Sequence, residues 1–417
     1  MEEVAIQKLV HGGQGLAELS DGQKVFVWNA LPGEIVKIRI IKKKRSYAEA
    51  IAEEIVKPSP ERAVPREENY LATSPWQMMS FNAENKYKAT IITDLFAHEK
   101  VVLPAFEGIE HDMHEWHYRN KMEYSFWGDD NGLHLALHRR GSHGKQIVDG
   151  SELALPVLDN GARAILTELR KIDIRAGDLK TIVVRCNQDD EAVAAVYTKL
   201  DTFPMIELPR NVKGIRVYHS NPRSPASVAT RLLYEVGDVT LQDNILGKRF
   251  TYDVESFFQV NIPIYEKALR RIQEYCLDDP VDMYSGVGSI GLLVAKRHVV
   301  LVELDRATAD MALVNSETDS LDASVVVAST EKSLEYITSD KPVIFDPPRA
   351  GLHPDVVRRC LEVTPAQIIY LSCNPSTQAR DLAALQELYE VSFFEVYNFF
   401  PKTPHIETLA VLKRKDT

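Results

Sequence analysis

The chain has 417 residues, of which 45% are hydrophobic and 26% charged, and its formal net charge is −11. This length and composition predict two or three globular domains and exclude a disordered protein. The acidic balance argues against a generally basic nucleic-acid binder, although a binding face can be locally basic. No apolar run is long enough to cross a bilayer, and four scattered cysteines favour neither a disulfide framework nor a zinc site. We therefore expect a cytoplasmic protein without a bound metal.

Residues 1–58 predict an all-β domain. Short runs of alternating apolar and polar residues are separated by turn sequences such as Gly12-Gly13 and Pro32-Gly33. A small five-stranded barrel of the OB-like kind fits this pattern. Within it, KIRIIKKKR (Lys37 to Arg45) holds six cations and no acid. That stretch fits an RNA-phosphate contact and a lysine-guarded edge strand equally well.

Residues 59–253 predict a linker followed by a central α+β domain. The linker is rich in proline and charge, and FNAENKYKATIITDLFAH then predicts a helix with Asn82 as its N-cap. Further on, cations such as Arg119 and Lys121 alternate with aromatic residues such as Tyr124 and Trp127. This interleaving suits single-stranded RNA, and a half-exposed sheet face explains it equally well.

Residues 254–417 alternate short apolar runs with helical segments. The pattern predicts a doubly wound, largely parallel α/β sheet. The last two strands, YEVSFFEVYNFF and ETLAVLKRK, have only a short loop between them, and a short loop requires an antiparallel pair. The fold class is therefore multidomain: an OB-like barrel, a central α+β domain and a C-terminal α/β sheet with an antiparallel last strand.

A glycine-rich turn follows the first strand of this sheet. Gly286, Gly288 and Gly291 have G-x-G-x-x-G spacing between a strand and a helix, and Glu303 ends the next strand. Glycines allow a ligand to lie against the backbone, and a carboxylate in that position can accept both ribose hydroxyls of an adenosine. The residues predict a nucleotide cofactor and leave NAD, FAD and S-adenosylmethionine open.

Polar or reactive side chains recur where the predicted strands end, and open α/β sheets bind ligands beyond those carboxyl ends. One such carboxylate is often a helix cap, and one such cysteine usually belongs to the core. Several on one sheet indicate a site. The side chains in this position are Tyr284, Glu303, Asp346 and Cys373.

Five stretches together resemble the RNA uracil-5-methyltransferases, class I enzymes that use S-adenosylmethionine. They are SFFQVN, DMYSGVGSIG, FDPPRAGL, LSCNPSTQARDL and FFPKTPHIE. In addition, YRNKMEYSF is similar to the central-domain motif of that family, and the first 58 residues look like its TRAM RNA-binding domain. The resemblance covers essentially the whole chain and implies a class I methyltransferase fold for residues 254–417.

The resemblance also implies roles for individual residues. Cys373 would attack C6 of uracil, and Glu407 would remove the C5 proton after methyl transfer. A free thiol is mostly protonated at neutral pH, so we expect local activation of Cys373. The implied contacts to S-adenosylmethionine or the uracil ring come from Gln259, Tyr284, Gly286, Gly288, Glu303 and Asp346, and less specifically from Ser289 and Ser329.

Many members of that family hold an iron–sulfur cluster through cysteines. Here the corresponding stretches, ATSPWQMMSFNAENKYK and IVDGSELAL, contain none. We therefore expect no cluster.

Other functions explain fewer of these residues. A dehydrogenase leaves DPPR and the terminal hairpin unexplained. A cytosine-5 methyltransferase usually has cysteine where Arg349 stands, and an adenine amino-methyltransferase prefers an aromatic residue there. A non-catalytic RNA-binding protein on the same scaffold needs neither Cys373 nor Glu407.

The expected partner is RNA, rather than DNA or a membrane, and we expect a monomer. A 23S rRNA is the first candidate substrate and a tRNA T-loop uridine the second. We expect the barrel to supply RNA affinity rather than chemistry.

Overall fold

The computed structural model describes residues 1–142, 144–172, 174–224, 226–317 and 321–415. These residues form a six-stranded sheet, two seven-stranded sheets and a separate two-stranded hairpin. Within these ranges, no helix is both long and apolar enough to cross a membrane.

The N-terminal domain is a six-stranded barrel in the strand order β1-β5-β6-β4-β3-β2. β1 and β2 lie two residues apart in sequence and pair with opposite sides of the sheet, so this segment closes the barrel. Dividing the first extended run in this way gives six strands, where the sequence predicted five. The strands are β1 Glu2–Ala5, β2 Lys8–Leu9, β3 Gly15–Glu18, β4 Lys24–Trp28, β5 Ile35–Lys43 and β6 Tyr47–Lys57.

A connecting region follows the barrel and ends in a long helix. It comprises α1 Tyr70–Thr73, a 3₁₀ turn at Pro75–Met78 and α2 Phe81–His98. The side chain of Ser80 accepts a hydrogen bond from the backbone N–H of Ala83 and caps α2, so the prediction of Asn82 as N-cap was wrong.

The central domain is a seven-stranded sheet in the order β13-β12-β11-β10-β7-β8-β9, covered on one face by α3. Its other face packs against a hairpin, β14–β15, and against the C-terminal domain. The elements are β7 Lys121–Asp129, β8 Gly132–His138, β9 Lys145–Ile147, α3 Pro156–Leu169, a 3₁₀ turn Ala176–Asp178, β10 Leu179–Cys186, β11 Ala192–Thr198, β12 Gly214–His219, β13 Arg231–Gly237, β14 Thr240–Ile245 and β15 Lys248–Asp253.

The C-terminal domain is a seven-stranded α/β sheet in the order β18-β17-β16-β19-β20-β22-β21. Its elements are α4 Ile262–Tyr275, β16 Val281–Asp282, α5 Gly291–Val294, β17 His298–Glu303, α6 Arg306–Ser316, β18 Asp322–Val327, 3₁₀ turns Thr330–Lys332 and Leu334–Tyr336, β19 Pro342–Phe345, α7 Pro354–Val363, β20 Gln367–Ser372, α8 Pro375–Leu385, β21 Tyr389–Tyr397 and β22 Glu407–Arg414.

The direction of β22 positions the site. The strands β16 to β20 run parallel, whereas β22 is antiparallel to both β20 and β21. The first residue of β22 therefore lies at the same edge as the last residues of the parallel strands. This confirms the prediction of an α/β sheet with an antiparallel last strand.

Helix α2 belongs to the core of this C-terminal sheet. Ile91, Ile92 and Phe96 are buried with residues of the sheet, and the rings of Phe96 and Phe394 lie 5.1 Å apart in an edge-to-face contact. The division into domains at residues 58 and 253 stays a prediction.

Candidate active site

Cys373 and Glu407 are neighbours across two strands. Ser372 of β20 pairs with Thr408 of β22, so in an antiparallel ladder the next residue, Cys373, stands opposite Glu407. On the other side of β20 lie the parallel strands β19 and then β16, which end at Phe345 and Asp282. Asp346 therefore emerges at the same edge, beside the glycine turn. The topology brings the two predicted catalytic residues together with predicted cofactor-binding residues.

The glycine turn is held to the next strand by a carboxylate. The backbone N–H of Gly286 donates to Oε2 of Glu303 over 2.9 Å, and Glu303 Oε1 accepts the N–H of Asp305 over 2.8 Å. Gly286 and Gly288 have φ angles of +54° and +86°, which other residues rarely adopt. A Cβ on Gly288 would lie 2.8 Å from Leu292. Glycine is therefore required at Gly288 both for its backbone conformation and for space.

A buried aspartate, Asp282, also holds the glycine turn in place. Asp282 Oδ2 accepts the backbone N–H of Gly291 over 3.0 Å, whereas Asp282 Oδ1 and the hydroxyl of Ser285 are buried without a hydrogen-bond partner among the described residues. Burial raises the pKa of Asp282 to about 7, and the charge of Glu303 acts in the same direction. Unpaired buried polar atoms beside a glycine turn are consistent with a polar ligand that lies against it.

Asp346 is a half-buried carboxyl that hydrogen-bonds to none of the described residues. Burial and, to a lesser extent, the charge of Asp282 raise the pKa of Asp346 to about 7. A carboxyl with this pKa at the end of a parallel strand is typical of a functional site.

The thiol of Cys373 is half-buried, and the other three cysteines are buried. Burial, and then the nearby charges of Glu407 and Asp346, raise the pKa of Cys373 to about 12, although Arg349 acts against them. A thiol with this pKa is protonated at neutral pH. The surrounding protein groups therefore do not supply the local activation that we expected from the sequence.

Glu407 is almost completely buried. Burial raises its pKa well above the usual value, the charge of Asp346 adds to this effect, and Arg349 opposes it. Cys373, Asp346 and Glu407 thus form one acidic cluster in which each negative charge disfavours the others.

Arg349 is the cation beside this cluster. Its exposed guanidinium lies 3.4 Å from Nδ1 of His405, and its carbonyl accepts a hydrogen bond from Asn374 over 2.8 Å. Burial, and then the charge of Arg349, lower the pKa of His405 to about 3, so this imidazole is neutral. The sequence analysis did not include Arg349 or His405 in the site. The sequence signal that could have identified them is that Arg349 lies in DPPR and His405 in PHIE.

The SFFQVN segment is fixed against both neighbouring domains. The buried guanidinium of Arg185 donates to the carbonyl of Phe258 over 2.8 Å, and Asn120 donates to the carbonyl of Gln259 over 3.1 Å. Asn261 then donates to the carbonyl of Phe399, in the loop before Glu407, over 3.1 Å. Gln259 is itself buried, and its side-chain amide hydrogen-bonds to none of the described residues.

The remaining predicted cofactor residues differ in availability. The hydroxyl of Ser289 is 2.8 Å from that of Tyr265, so it already has a structural partner. Tyr284 is half-buried and packs edge-to-face on Phe345, at 6.4 Å between ring centroids. Ser329 follows the outer strand β18, on the far side of the glycine turn from Cys373.

Arg119 also lies near the site. Its guanidinium is 5.8 Å from the ring centre of Phe400, and within the described part of the chain its buried Nε has no hydrogen-bond partner. Its charge contributes to the low pKa of His405. The sequence analysis placed Arg119 only in a general RNA-binding pattern.

In the stretches ATSPWQMMSFNAENKYK and IVDGSELAL, where the resemblance would place cluster cysteines, polar groups hydrogen-bond with neighbouring segments. Gln77 accepts the backbone N–H of Arg66 over 3.0 Å and donates to Glu67 and Ser74. Glu67 in turn accepts the N–H of Glu152 over 2.9 Å. In the described part of the chain, no group of three or more His, Cys, Asp or Glu side chains is arranged to hold a metal. The absence of an iron–sulfur cluster stays a prediction.

Comparison with known families gives the assignment. The family model described as tRNA (uracil-5-)-methyltransferase matches residues 82–415, and the TRAM domain model matches residues 2–52. The chain belongs to the tRNA (uracil-5-)-methyltransferase family. It is therefore an RNA methyltransferase that uses S-adenosylmethionine and carries a TRAM domain, as the resemblance implied.

Relatives and solved structures agree with this family. Proteins named uncharacterized RNA methyltransferase from Lactiplantibacillus plantarum and Thermotoga maritima are each 28% identical to this chain. The matches cover 99% and 100% of this chain and 97% and 100% of those proteins. The tRNA (uracil-54, C5)-methyltransferase of Pyrococcus abyssi, solved with S-adenosyl-L-homocysteine, matches with a TM-score of 0.76 at 23% identity. The match covers 98% of this chain and 100% of the Pyrococcus abyssi chain, so the two proteins have the same fold.

Proposed function

We propose that the protein methylates C5 of a uridine in RNA, with Cys373 as nucleophile and Glu407 as the base that removes the C5 proton. The observation that carries this proposal is the register of β20 and β22. It sets a half-buried thiol directly opposite a buried carboxyl at the ligand-binding edge of a methyltransferase sheet.

Uracil C5 is a poor nucleophile, and covalent catalysis overcomes this. The thiolate of Cys373 bonds to C6, and the electrons of the C5–C6 double bond move to C5 and the neighbouring carbonyl. S-adenosylmethionine, when bound, supplies the methyl group that C5 receives. Glu407 then takes the proton from C5, the double bond re-forms, and the bond between C6 and Cys373 breaks to release the thiolate.

The site residues fit S-adenosylmethionine. Glu303 lies where a carboxylate can accept ribose hydroxyls, and Gly286 and Gly288 leave backbone surface open to a ligand. Tyr284, Asp346 and Gln259 are the other side chains that we assign to the cofactor or the uracil ring.

The raised pKa values indicate when Cys373 becomes reactive. Three acidic groups share one half-buried site, so any positive charge that enters it lowers the pKa of all three. Arg349 already acts in this direction on Cys373 and Glu407. We infer that the thiol loses its proton only in the loaded site, which prevents reaction of the free enzyme.

The structural neighbour bears on the RNA substrate. The match with the Pyrococcus abyssi enzyme, which acts on tRNA uracil-54, covers 98% of this chain and so includes the barrel. A TRAM barrel is thus compatible with a tRNA substrate, and it does not by itself favour rRNA. We keep 23S rRNA as the candidate from the sequence and a tRNA T-loop uridine as the second.

Mass-spectrometric mapping of 5-methyluridine in rRNA and tRNA tests the function and identifies the substrate. Cells that lack this protein should lose the modification at one or more positions and recover it when the wild-type gene is returned. Purified protein should transfer labelled methyl groups to the unmodified RNA. An unchanged modification map, together with no transfer in vitro, would contradict the proposal.

A further inference from the structure

A buried ion pair on helix α2 lies against the loop that leads to Glu407. Glu84 and Lys88 are one turn apart on the helix, and Lys88 Nζ lies 2.9 Å from Oε1 of Glu84. Both side chains are fully buried. The loop joins β21 to β22 and comprises residues 398–406. We call these residues the Glu407 loop.

The ion pair holds the first residue of the Glu407 loop. Lys88 Nζ donates to Oδ1 of Asn398 over 2.7 Å, and Nδ2 of Asn398 donates to Oε1 of Glu84 over 2.9 Å. Asn398 is itself fully buried. Glu407 pairs with Tyr397 in the ladder between β21 and β22, so the held residue directly follows the strand position opposite Glu407.

The same pair also holds the middle of the loop. The backbone N–H of Lys402 donates to both carboxylate oxygens of Glu84, over 3.1 and 3.0 Å, and Lys88 Nζ donates to the carbonyl of Phe400 over 3.3 Å. Lys402 has a φ of +61°, which residues other than glycine rarely adopt, so its contacts must maintain this bend. The ion pair therefore contacts the Glu407 loop at Asn398, Phe400 and Lys402.

The energetics of such a pair favour a role in geometry. Removing two charges from water offsets most of their attraction, so a buried ion pair adds little net stability over well-packed apolar side chains. Burial lowers the pKa of Lys88, and the charge and hydrogen bond of Glu84 oppose this effect. What the pair supplies to the fold is a set of directional hydrogen bonds to one loop.

We propose that Glu84 and Lys88 are positioning residues for the base, and that through the Glu407 loop they hold the carboxyl of Glu407 opposite Cys373. This inference rests on the proposed function. It gives helix α2, which precedes the central domain in the chain, a role in one step of the reaction: removal of the C5 proton.

This role affects one step more than the others. Addition to C6 and methyl transfer depend on Cys373 and the cofactor, whereas Glu407 is needed to remove the C5 proton. A displaced Glu407 should therefore allow methyl transfer and delay release, so that methylated RNA stays bonded to Cys373. A general loss of stability would instead reduce the amount of active enzyme and slow every step together.

The test compares Lys88→Met and Asn398→Ala with Asp94→Asn, which removes an exposed ion pair with Lys8 from the same helix. Misplacement of reacting groups by about 1 Å can cost roughly a hundredfold in rate. We expect the first two variants to lower kcat by about 10- to 100-fold, with KM for RNA within about twofold. Both should accumulate a methyl-labelled protein–RNA band in denaturing gels, and Asp94→Asn should match wild type.

Asn398→Ala keeps the test decisive if the other variant does not fold. Lys88→Met leaves the buried carboxylate of Glu84 without its cation, which is strongly destabilising, whereas Asn398→Ala retains the ion pair. Thermal unfolding identifies the folded variants. Unchanged kcat in Asn398→Ala, or a lower kcat without the labelled band, would overturn the proposal.

A readout without RNA separates this inference from the proposed function. Cys373 is not buried, unlike the other three cysteines, so its alkylation by iodoacetamide can be followed by mass spectrometry. Burial, and then the charge of Glu407, raise the pKa of Cys373, so removing or displacing Glu407 should make the thiol more reactive. Alkylation at pH 9 should be several-fold faster than wild type in Glu407→Gln and Asn398→Ala, and unchanged in Asp94→Asn.

The two readouts apply to different outcomes with wild type. Where wild type methylates RNA, the labelled band decides, and its absence in Asn398→Ala overturns only the positioning. Where wild type does not methylate RNA, the alkylation rates decide. Faster alkylation in Asn398→Ala then overturns the proposed function and supports the placement of Glu407 by Glu84 and Lys88, whereas equal rates overturn both.

Discussion

The two halves of the candidate site are held in different ways. The cofactor half consists of the glycine turn and Glu303, and the Glu303 side chain hydrogen-bonds to the nearby backbone of Gly286 and Asp305. The covalent half consists of Cys373, Asp346 and Glu407, whose neighbours come from distant segments. Glu407 comes from β22, and Asn374, which follows Cys373 after β20, donates to the carbonyl of Arg349 after β19.

The halves also differ in electrostatics. In the covalent half, burial raises the pKa of all three acidic groups, and the charge of a nearby carboxylate adds to the effect on each. In the cofactor half, the carboxylate of Glu303 accepts two backbone hydrogen bonds. The cofactor half is therefore held by backbone hydrogen bonds, whereas the covalent half is the one for which we infer activation by the positive charge of bound ligands. The following variants test this difference, in order of expected effect.

Cys373→Ala should break the covalent half and leave the cofactor half intact. We expect turnover to fall by roughly a thousandfold or more, because the residues of a covalent mechanism act as a unit. Affinity for S-adenosylhomocysteine, measured by calorimetry, should stay near wild type. RNA with 5-fluorouridine at the target should form a denaturant-resistant complex with wild type and with Cys276→Ala, and none with Cys373→Ala. Turnover by Cys373→Ala above background would remove the nucleophile assignment.

Glu407→Gln keeps the side-chain volume and removes the base. One methyl transfer should still occur, but the C5 proton stays in place and the enzyme remains bonded to C6. Gel electrophoresis under denaturing conditions should show a protein–RNA band that carries the methyl label. Adding Cys373→Ala should remove the band, and Glu390→Gln, an exposed change on the neighbouring β21, should not produce it. Normal turnover by Glu407→Gln would show that another group acts as the base.

Glu303→Gln tests the cofactor half. It weakens the hydrogen bond to Gly286 and the contacts that we assign to the ribose. Hydrogen bonds to charged groups are worth about 1.5–3 kcal/mol, so affinity for S-adenosylhomocysteine should fall by roughly 10- to 100-fold. Formation of the 5-fluorouridine complex at saturating cofactor should persist. Equal affinity in Glu303→Gln and in the exposed control Glu335→Gln would show that Glu303 does not hold the cofactor.

Asp346→Asn tests the electrostatics of the covalent half. A carboxyl whose pKa rises from 3.8 to about 7 on folding binds its proton more tightly in the native state. Its contribution to stability is present below pH 3.8 and is lost as the pH rises to 7. Wild type should therefore lose on the order of 1–2 kcal/mol more stability than Asp346→Asn between pH 5 and pH 7. Denaturant unfolding of the ligand-free proteins at both pH values measures this, and parallel curves would contradict it.

The smallest effects are expected in the cationic stretch from Lys37 to Arg45, which lies on β5 and the turn after it. Lys43 pairs with Asp21 over 3.2 Å and Lys37 with Glu54 over 2.9 Å, while Arg39 pairs with Glu53, so acids already offset part of the charge. Charge-neutral replacements at Lys42, Lys43 and Lys44 should raise KM for RNA. The slope of the logarithm of RNA affinity against the logarithm of salt concentration should fall by about one unit for each phosphate that is no longer neutralised. Affinity for S-adenosylhomocysteine and kcat should not change. If KM also stays the same, the stretch is only a charged edge.

The contrast between the halves also explains what the sequence could predict. Glycine spacing and a strand-end acid are local signals, so Gly286, Gly288 and Glu303 were found from sequence patterns. The antiparallel direction of β22 followed from a short loop, and this direction places Glu407 opposite Cys373. Nothing local connects Gly13 to the loop before Glu407, because only the packing of the barrel brings Gly13 against Pro404.

Ser289 shows a second limit of prediction from the sequence. The motif position favoured a ligand contact, but the hydroxyl already lies 2.8 Å from that of Tyr265. Side-chain partners from another helix cannot be read from the spacing of glycines. The same holds for Arg119, whose place near the ring of Phe400 depends on how the central domain meets the C-terminal sheet.

The place of β22 in the sheet has a consequence for synthesis of the chain. Strand β22, near the C-terminus, is inserted between β20 and β21, which are made before it. Until residues 407–414 leave the ribosome, both of these strands present an unpaired edge of the kind that promotes aggregation. The carboxyl opposite Cys373 also arrives after the thiol. A nascent or truncated chain without β22 therefore lacks the strand pairing that sets Glu407 opposite Cys373.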